Sequence, residues 1–138
     1  MGYESKIFIV SRRELESPKT GEIFPCAIIV ATYDLCSVGW DNINTMKSAF
    51  KREIDYTLFL PGCDSEGNER IVETDTDCYG DHMRAATLPD LIETIKALEQ
   101  AEHYRRYPPL LAMLEAFNAE VEAGEWDGEE LQAVHYGY

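Results

Sequence analysis

The densest group of side chains able to bind metal or carry protons runs from Glu73 to His82, Glu-Thr-Asp-Thr-Asp-Cys-Tyr-Gly-Asp-His. Asp75, Asp77 and Gly80 match the opening of a calcium loop, which then needs a bidentate glutamate at its twelfth position. The twelfth residue from Asp75 is Ala86, so that reading fails. A looser divalent-metal site is left as one alternative. Its ligands would be Asp75, Asp77, Asp81 and His82, since carboxylate oxygen and imidazole nitrogen suit Mg²⁺ or Mn²⁺. Alternating acids also describe the solvated face of a strand. The three histidines, His82, His103 and His135, are acid–base candidates, but no local spacing sets a nucleophile beside a base. G-x-S-x-G, P-loop and H-E-x-x-H signatures are absent. No catalytic residue and no cofactor are expected. His103, Arg105 and Arg106 read as cations at the carbonyl end of a helix. Tyr104-Arg105-Arg106-Tyr107 also has the composition of an aromatic-flanked anion site. Cys26, Cys36, Cys63 and Cys78 form no C-x-x-C pair and are expected to be free thiols, Cys26 and Cys36 as small buried side chains.

A second chemistry lies further on. No lysine or arginine follows Arg106, yet seven carboxylates fall between Glu115 and Glu130. Residues 1–62 hold seven Lys/Arg and eight Asp/Glu, whereas residues 63–138 hold five against eighteen, a net −13 of the total −14. Such an imbalance disfavours nucleic acid and anionic membrane as direct ligands and favours basic protein surfaces. Glu115, Glu122, Glu125, Asp127, Glu129 and Glu130 surround Trp126 with no counter-charge nearby in sequence. Carboxylates three or four apart on a helix lie about 5–6 Å from one another. A face so spaced suits a Lys/Arg groove that otherwise tracks a phosphate backbone. Solubility alone also accounts for negative charge, but not for basic residues confined to the first 106 positions. Trp40 and Trp126 are expected to be partly buried and able to anchor an interface.

These residues need a scaffold, and 138 residues with 45% hydrophobic content are enough for one α+β domain spanning 1–138. Ile7-Phe8-Ile9-Val10 predicts an opening strand, and 11–22 a polar loop. Cys26–Tyr33 is a continuous apolar run, as in a central strand covered on both faces and paired antiparallel to the first. Ile43, Met46, Ala49 and Phe50 predict a short helix over 41–50. Ile54–Leu60, stopped by Pro61-Gly62, and Arg70–Thr74 predict a hairpin. Thr87-Leu88-Pro89-Asp90 carries the signature of a helix start, and Leu88, Leu91, Ile92, Ile95 and Leu98 trace one stripe. Pro108-Pro109 ends that helix. Leu110, Leu114, Phe117 and Val121 mark a second, with Gly124 just past its end, and 131–136 predicts a closing strand. The expected architecture is a mostly antiparallel sheet of about five strands with a C-terminal αα-hairpin on one face. The first residues show no secretory leader, and no apolar run reaches the roughly 20 residues of a membrane span, so a cytoplasmic protein is expected.

Tyr33-Asp34-Leu35-Cys36, Tyr79-Gly80-Asp81 leading into a Leu-Pro-Asp helix, Tyr104-Arg105-Arg106-Tyr107 before Pro-Pro-Leu-Leu, and His135-Tyr136-Gly137-Tyr138 run through most of the chain. With them the chain resembles small acidic proteins of bacteriophage and prophage genomes. The resemblance implies a context: such proteins often inhibit host defence or nucleic-acid enzymes, CRISPR effectors among them, some by imitating DNA. It defines no functional residue. The expected function is a non-enzymatic inhibitor that occupies a basic nucleic-acid-binding surface, in the manner of an anti-CRISPR protein or DNA mimic. The alternatives are a small divalent-metal-binding protein or enzyme using the Asp75, Asp77, Asp81 and His82 cluster, and a structural homo-oligomer, such as a homodimer, sharing its apolar helix stripes across a two-fold axis.

Overall fold

The computed structural model describes residues 5–35, 46–101, 107–127 and 129–137. Cys36, Trp40, positions 41–45 of the expected short helix, and His103 to Arg106 lie outside the described residues. A long antiparallel hairpin opens the chain, with β1 (Ser5–Glu16) paired to β2 (Ile23–Asp34) from Lys6↔Asp34 to Glu16↔Ile23. The pairing is as expected, but the 11–22 loop shrinks to a turn over 17–22. There Gly21 takes a positive φ of 71° and its N–H donates to the Ser17 carbonyl at 2.9 Å. Arg13, Glu14 and Glu16 occupy strand positions because this end of the hairpin stands in solvent, where β geometry asks for no apolar side chain.

Met46 and Lys47 form a helical turn, with Met46, Ala49 and Phe50 buried. The chain continues through β3 (Arg52–Glu53), β4 (Leu58–Cys63), β5 (Glu69–Thr74) and β6 (Arg84–Thr87) into α1 (Leu88–Ala101), α2 (Tyr107–Glu122) and β7 (Glu130–Gly137). The main sheet is five-stranded and antiparallel in the order β2-β1-β7-β6-β3. Neither β3 nor β6 is foreshadowed in sequence, being two and four residues long. The expected hairpin forms instead a separate two-stranded sheet, β4-β5. Its first strand runs through Pro61-Gly62 rather than stopping before it. Proline is tolerated on an edge strand, where no ladder bond need be lost.

β1 reads Ile7-Phe8-Ile9-Val10, all buried, because both faces of the sheet are covered. Ile7 and Ile9 join Leu91, Ile95, Leu110, Leu114 and Ala133 in a core under the helices. Phe8 and Val10 join Ile54, Tyr56, Leu58, Leu60, Met83 and Val134 in a second core under the β4-β5 hairpin. The helix pair thus packs on one face, as the stripes predict. β2 departs from expectation. Its apolar run suits a central strand, yet it is an edge strand with Ile23, Phe24 and Ile28 exposed. Strand order decides such coverage, and periodicity within one strand carries no record of it. Among the described residues no helix is long and apolar enough to cross a membrane.

Candidate acidic interface

α2 supplies the platform for the acidic stretch, and its end is built by glycine. Gly124 has φ 81° and donates to the Val121 carbonyl at 3.1 Å, while Glu125 N–H reaches the Glu120 carbonyl at 3.1 Å. This is the paired bonding of a Schellman cap, with Gly124 in the position expected for it. Trp126 then folds back over α2. Its ring lies 6.4 Å from that of Phe117, and its Nε1–H donates to Glu120 Oε2 at 3.0 Å. Trp126 is half-buried, which matches expectation.

The tertiary structure divides the six carboxylates around it. Glu115 meets Lys96 of α1 at 3.1 Å. Glu129 lies 3.6 Å from Arg13 and accepts from Ser11 Oγ at 2.9 Å. Glu130 lies 4.0 Å from Arg12. The pairing β1–β7 brings those arginines across, because Arg12 stands opposite Glu130 in register. Counter-charge missing from the neighbouring sequence is therefore supplied to half the set, through the sheet for Glu129 and Glu130 and from α1 for Glu115. Glu122, Glu125 and Asp127 remain exposed and make no ion pair with any described residue. Glu120, outside the set read from sequence, belongs with them in space and holds the indole. Its spacing of six from Trp126 bridges a helix end, a span that helix periodicity does not register.

Arg12 is the most tightly held cation of the group. It gives Asp55 two hydrogen bonds, Nε to Oδ1 at 3.1 Å and Nη2 to Oδ2 at 2.9 Å. That hydrogen bonding raises the guanidinium above its ordinary value, against the desolvation that lowers it. Nearby, Tyr56 O–H donates to Gln132 Oε1 at 2.8 Å, and burial pushes the phenol up.

The Asp/His cluster is organised as turns. Asp77 Oδ1 accepts from the N–H groups of Tyr79 (2.8 Å) and Asp81 (3.0 Å), and Gly80 takes φ 84°. Asp64-Ser65-Glu66-Gly67-Asn68 repeats this build, with Asp64 Oδ1 accepting from Glu66 and Asn68 and Gly67 at φ 83°. The shared Asp-x-x-Gly spacing is the signal that identifies the second turn, which the expectation of a metal loop or a strand face passes over. Backbone hydrogen bonds, first from Asn68, hold the Asp64 carboxyl below the ordinary range. His82 Nε2–H donates to the Ile54 carbonyl at 3.0 Å, and its Nδ1 lies 3.8 Å from Asp75. Asp77, Asp81 and His82 line one cleft of about 340 Å³ together with Lys47, Glu53, Arg84 and His135, while Asp75 is not on its wall. Among the described residues no three His, Cys, Asp or Glu side chains are grouped to hold a metal ion. His135, unremarked in sequence except as a histidine, is buried and shares a 3.0 Å hydrogen bond with buried Ser5 Oγ. Cys26, Cys63 and Cys78 form no disulfide; Cys26, expected to be buried, is only half-buried because it lies on the edge strand β2, and the other two are exposed.

Neither a protein-family model, nor a curated protein, nor a solved structure matches this chain.

Proposed function

We propose that this chain is an acidic interaction protein, without a catalytic role of its own, that docks on a basic protein surface. One observation carries the reading. Glu120, Glu122, Glu125 and Asp127 crowd the carbonyl end of α2 and the turn after it, and the last turn of that helix holds no basic residue. Negative charge at this end opposes the helix dipole, and like charges so close repel one another. Apart from the hydrogen bonds that Glu120 takes from Trp126 and Glu122 from Asn118, folding gains nothing from the arrangement. Cations on a partner relieve both terms at once, which makes association the natural reason to keep it. Trp126, held against Phe117 at the centre of the group, is the aromatic anchor such an interface wants.

The reading extends to the kind of basic surface. Carboxylates gathered at a helix end and the turn after it can face a cleft whose Lys/Arg normally track a phosphate backbone. The resemblance to phage proteins supports the same extension, with a host nucleic-acid enzyme as partner and inhibition as outcome. Affinity capture from bacterial lysate at low salt, eluted by a salt gradient, tests it. Captured protein should elute early, because contacts of this kind are screened. A DNA duplex should compete for the same protein. Glu122→Lys, Glu125→Lys and Asp127→Lys combined should abolish capture with the circular dichroism spectrum intact; full capture by that folded variant removes the reading.

A further inference from the structure

We propose that the outer face of the β4-β5 hairpin is a second docking surface, for a basic amphipathic segment of a partner protein whose apolar side chain seats beside Phe59 and Ile71. The register fixes what faces outward. Leu58 and Leu60 are buried in the core against the main sheet. The alternate pairs Phe59↔Glu73, Pro61↔Ile71 and Cys63↔Glu69 therefore point away from it. Phe59 is 62% and Ile71 66% exposed, and as diagonal cross-strand neighbours they form one patch rather than two scattered residues. Beside them runs an open groove of about 500 Å³ lined by Pro61, Gly62, Cys63, Glu69, Arg70 and Ile71. Gly62 sits directly on Val72, since a Cβ there would lie 2.6 Å from Val72 Cγ2. By the same alternation Gly62 and Val72 lie on the inner side of the hairpin, beneath the pairs that face outward.

Charge decides the occupant. Residues 63–82 carry seven Asp/Glu against Arg70 alone, and Asp64, Glu66, Glu69 and Glu73 make no ion pair with a described residue. An apolar centre with an acidic rim complements an apolar side chain flanked by Lys or Arg. A second copy of this chain would set one acidic rim against another, which like-charge repulsion disfavours. The helices cover the opposite face of the main sheet, so this surface is separable from the acidic end of α2.

The test is a titration of the full isotope-labelled chain with two synthetic helical peptides of equal length and charge. One carries Leu and Lys on opposite faces, and the other has Ser in place of Leu. The Leu/Lys peptide should bind about tenfold more tightly, as one good apolar anchor provides, and should shift amide resonances over 58–74. Phe59→Ser with Ile71→Ser should erase that preference. Should this pair disturb the fold, Glu69→Lys with Glu73→Lys, which leaves the apolar patch in place, must still weaken the peptide. Equal binding of the two peptides, or shifts confined to 120–127, overturns the proposal. So does self-association of the wild type that the Phe59/Ile71 variant abolishes, because a second copy would then be the occupant. The Glu122/Glu125/Asp127 lysine variant should keep this binding even where capture through α2 is lost, which separates failure here from failure of the acidic-interface reading.

Discussion

At the scale of single residues the chain spends its polar side chains on construction more than on chemistry. Arg12 ties β1 to Asp55 and approaches Glu130, and Tyr56 bonds Gln132 between the sheet and the segment after β3. Tyr56→Phe leaves the buried Gln132 oxygen without its donor and should cost about 1–3 kcal/mol in urea unfolding. Asp64 gives a pH signature. Its carboxyl is held below the ordinary value by backbone donors, so its contribution to stability is complete above about pH 3.9. That contribution disappears as pH falls through the lower folded value, once the charged acceptor is lost. An NMR titration should place the Asp64 inflection under the ordinary aspartate value, and an inflection at or above it would contradict the turn geometry. Residue types announce the turn at 64–68, whereas the same Asp-x-x-Gly spacing at 77–80 reads as a metal site or the solvated face of a strand. They did not announce that Asp77 would be occupied by two backbone N–H groups and so be poorly placed to serve a metal.

Elements were legible where local signals are strong. Thr87 caps α1 as its sequence predicts, its Oγ1 accepting from Asp90 N–H at 3.2 Å, and Thr87→Ala should lower stability by about 1 kcal/mol. Both helices follow their apolar stripes except at the end of α2, where Val121, expected in the stripe, is exposed because the helix has run past the core, and Gly124 stands just past that end. Strands were read less well. β3 and β6 are too short to show alternation, and β4 passes through a Pro-Gly pair that usually breaks a strand. Gly62 is required there by contact rather than by turn geometry. Gly62→Ala should push Val72 from its place and cost about 1–3 kcal/mol by overpacking, read as a lower denaturation midpoint. Unchanged stability would mean that the hairpin yields at little cost.

For the whole molecule the net charge of −14 is the governing quantity. Self-repulsion among so many carboxylates destabilises the compact state, and salt screens it. The melting temperature near neutral pH should therefore rise from low ionic strength to about 0.15 M, where the screening length is about 8 Å. A fall would mean that the few ion pairs outweigh the repulsion. The sequence by itself determined the total charge, its concentration in residues 63–138, the two helices with the Thr87 cap of the first and the Gly124 end of the second, and the antiparallel pairing of the first two long strands. Each of these depends on residues close together in the chain, or on a simple sum over it. Only the tertiary structure decided that β2 is an edge, that the second hairpin covers the far face of the sheet, and that Arg12 and Arg13 stand beside Glu130 and Glu129. Those arginines precede the glutamates by more than a hundred positions, and strand register alone brings them together. Coulomb's law acts on distance in space, whereas a sequence records only distance along the chain.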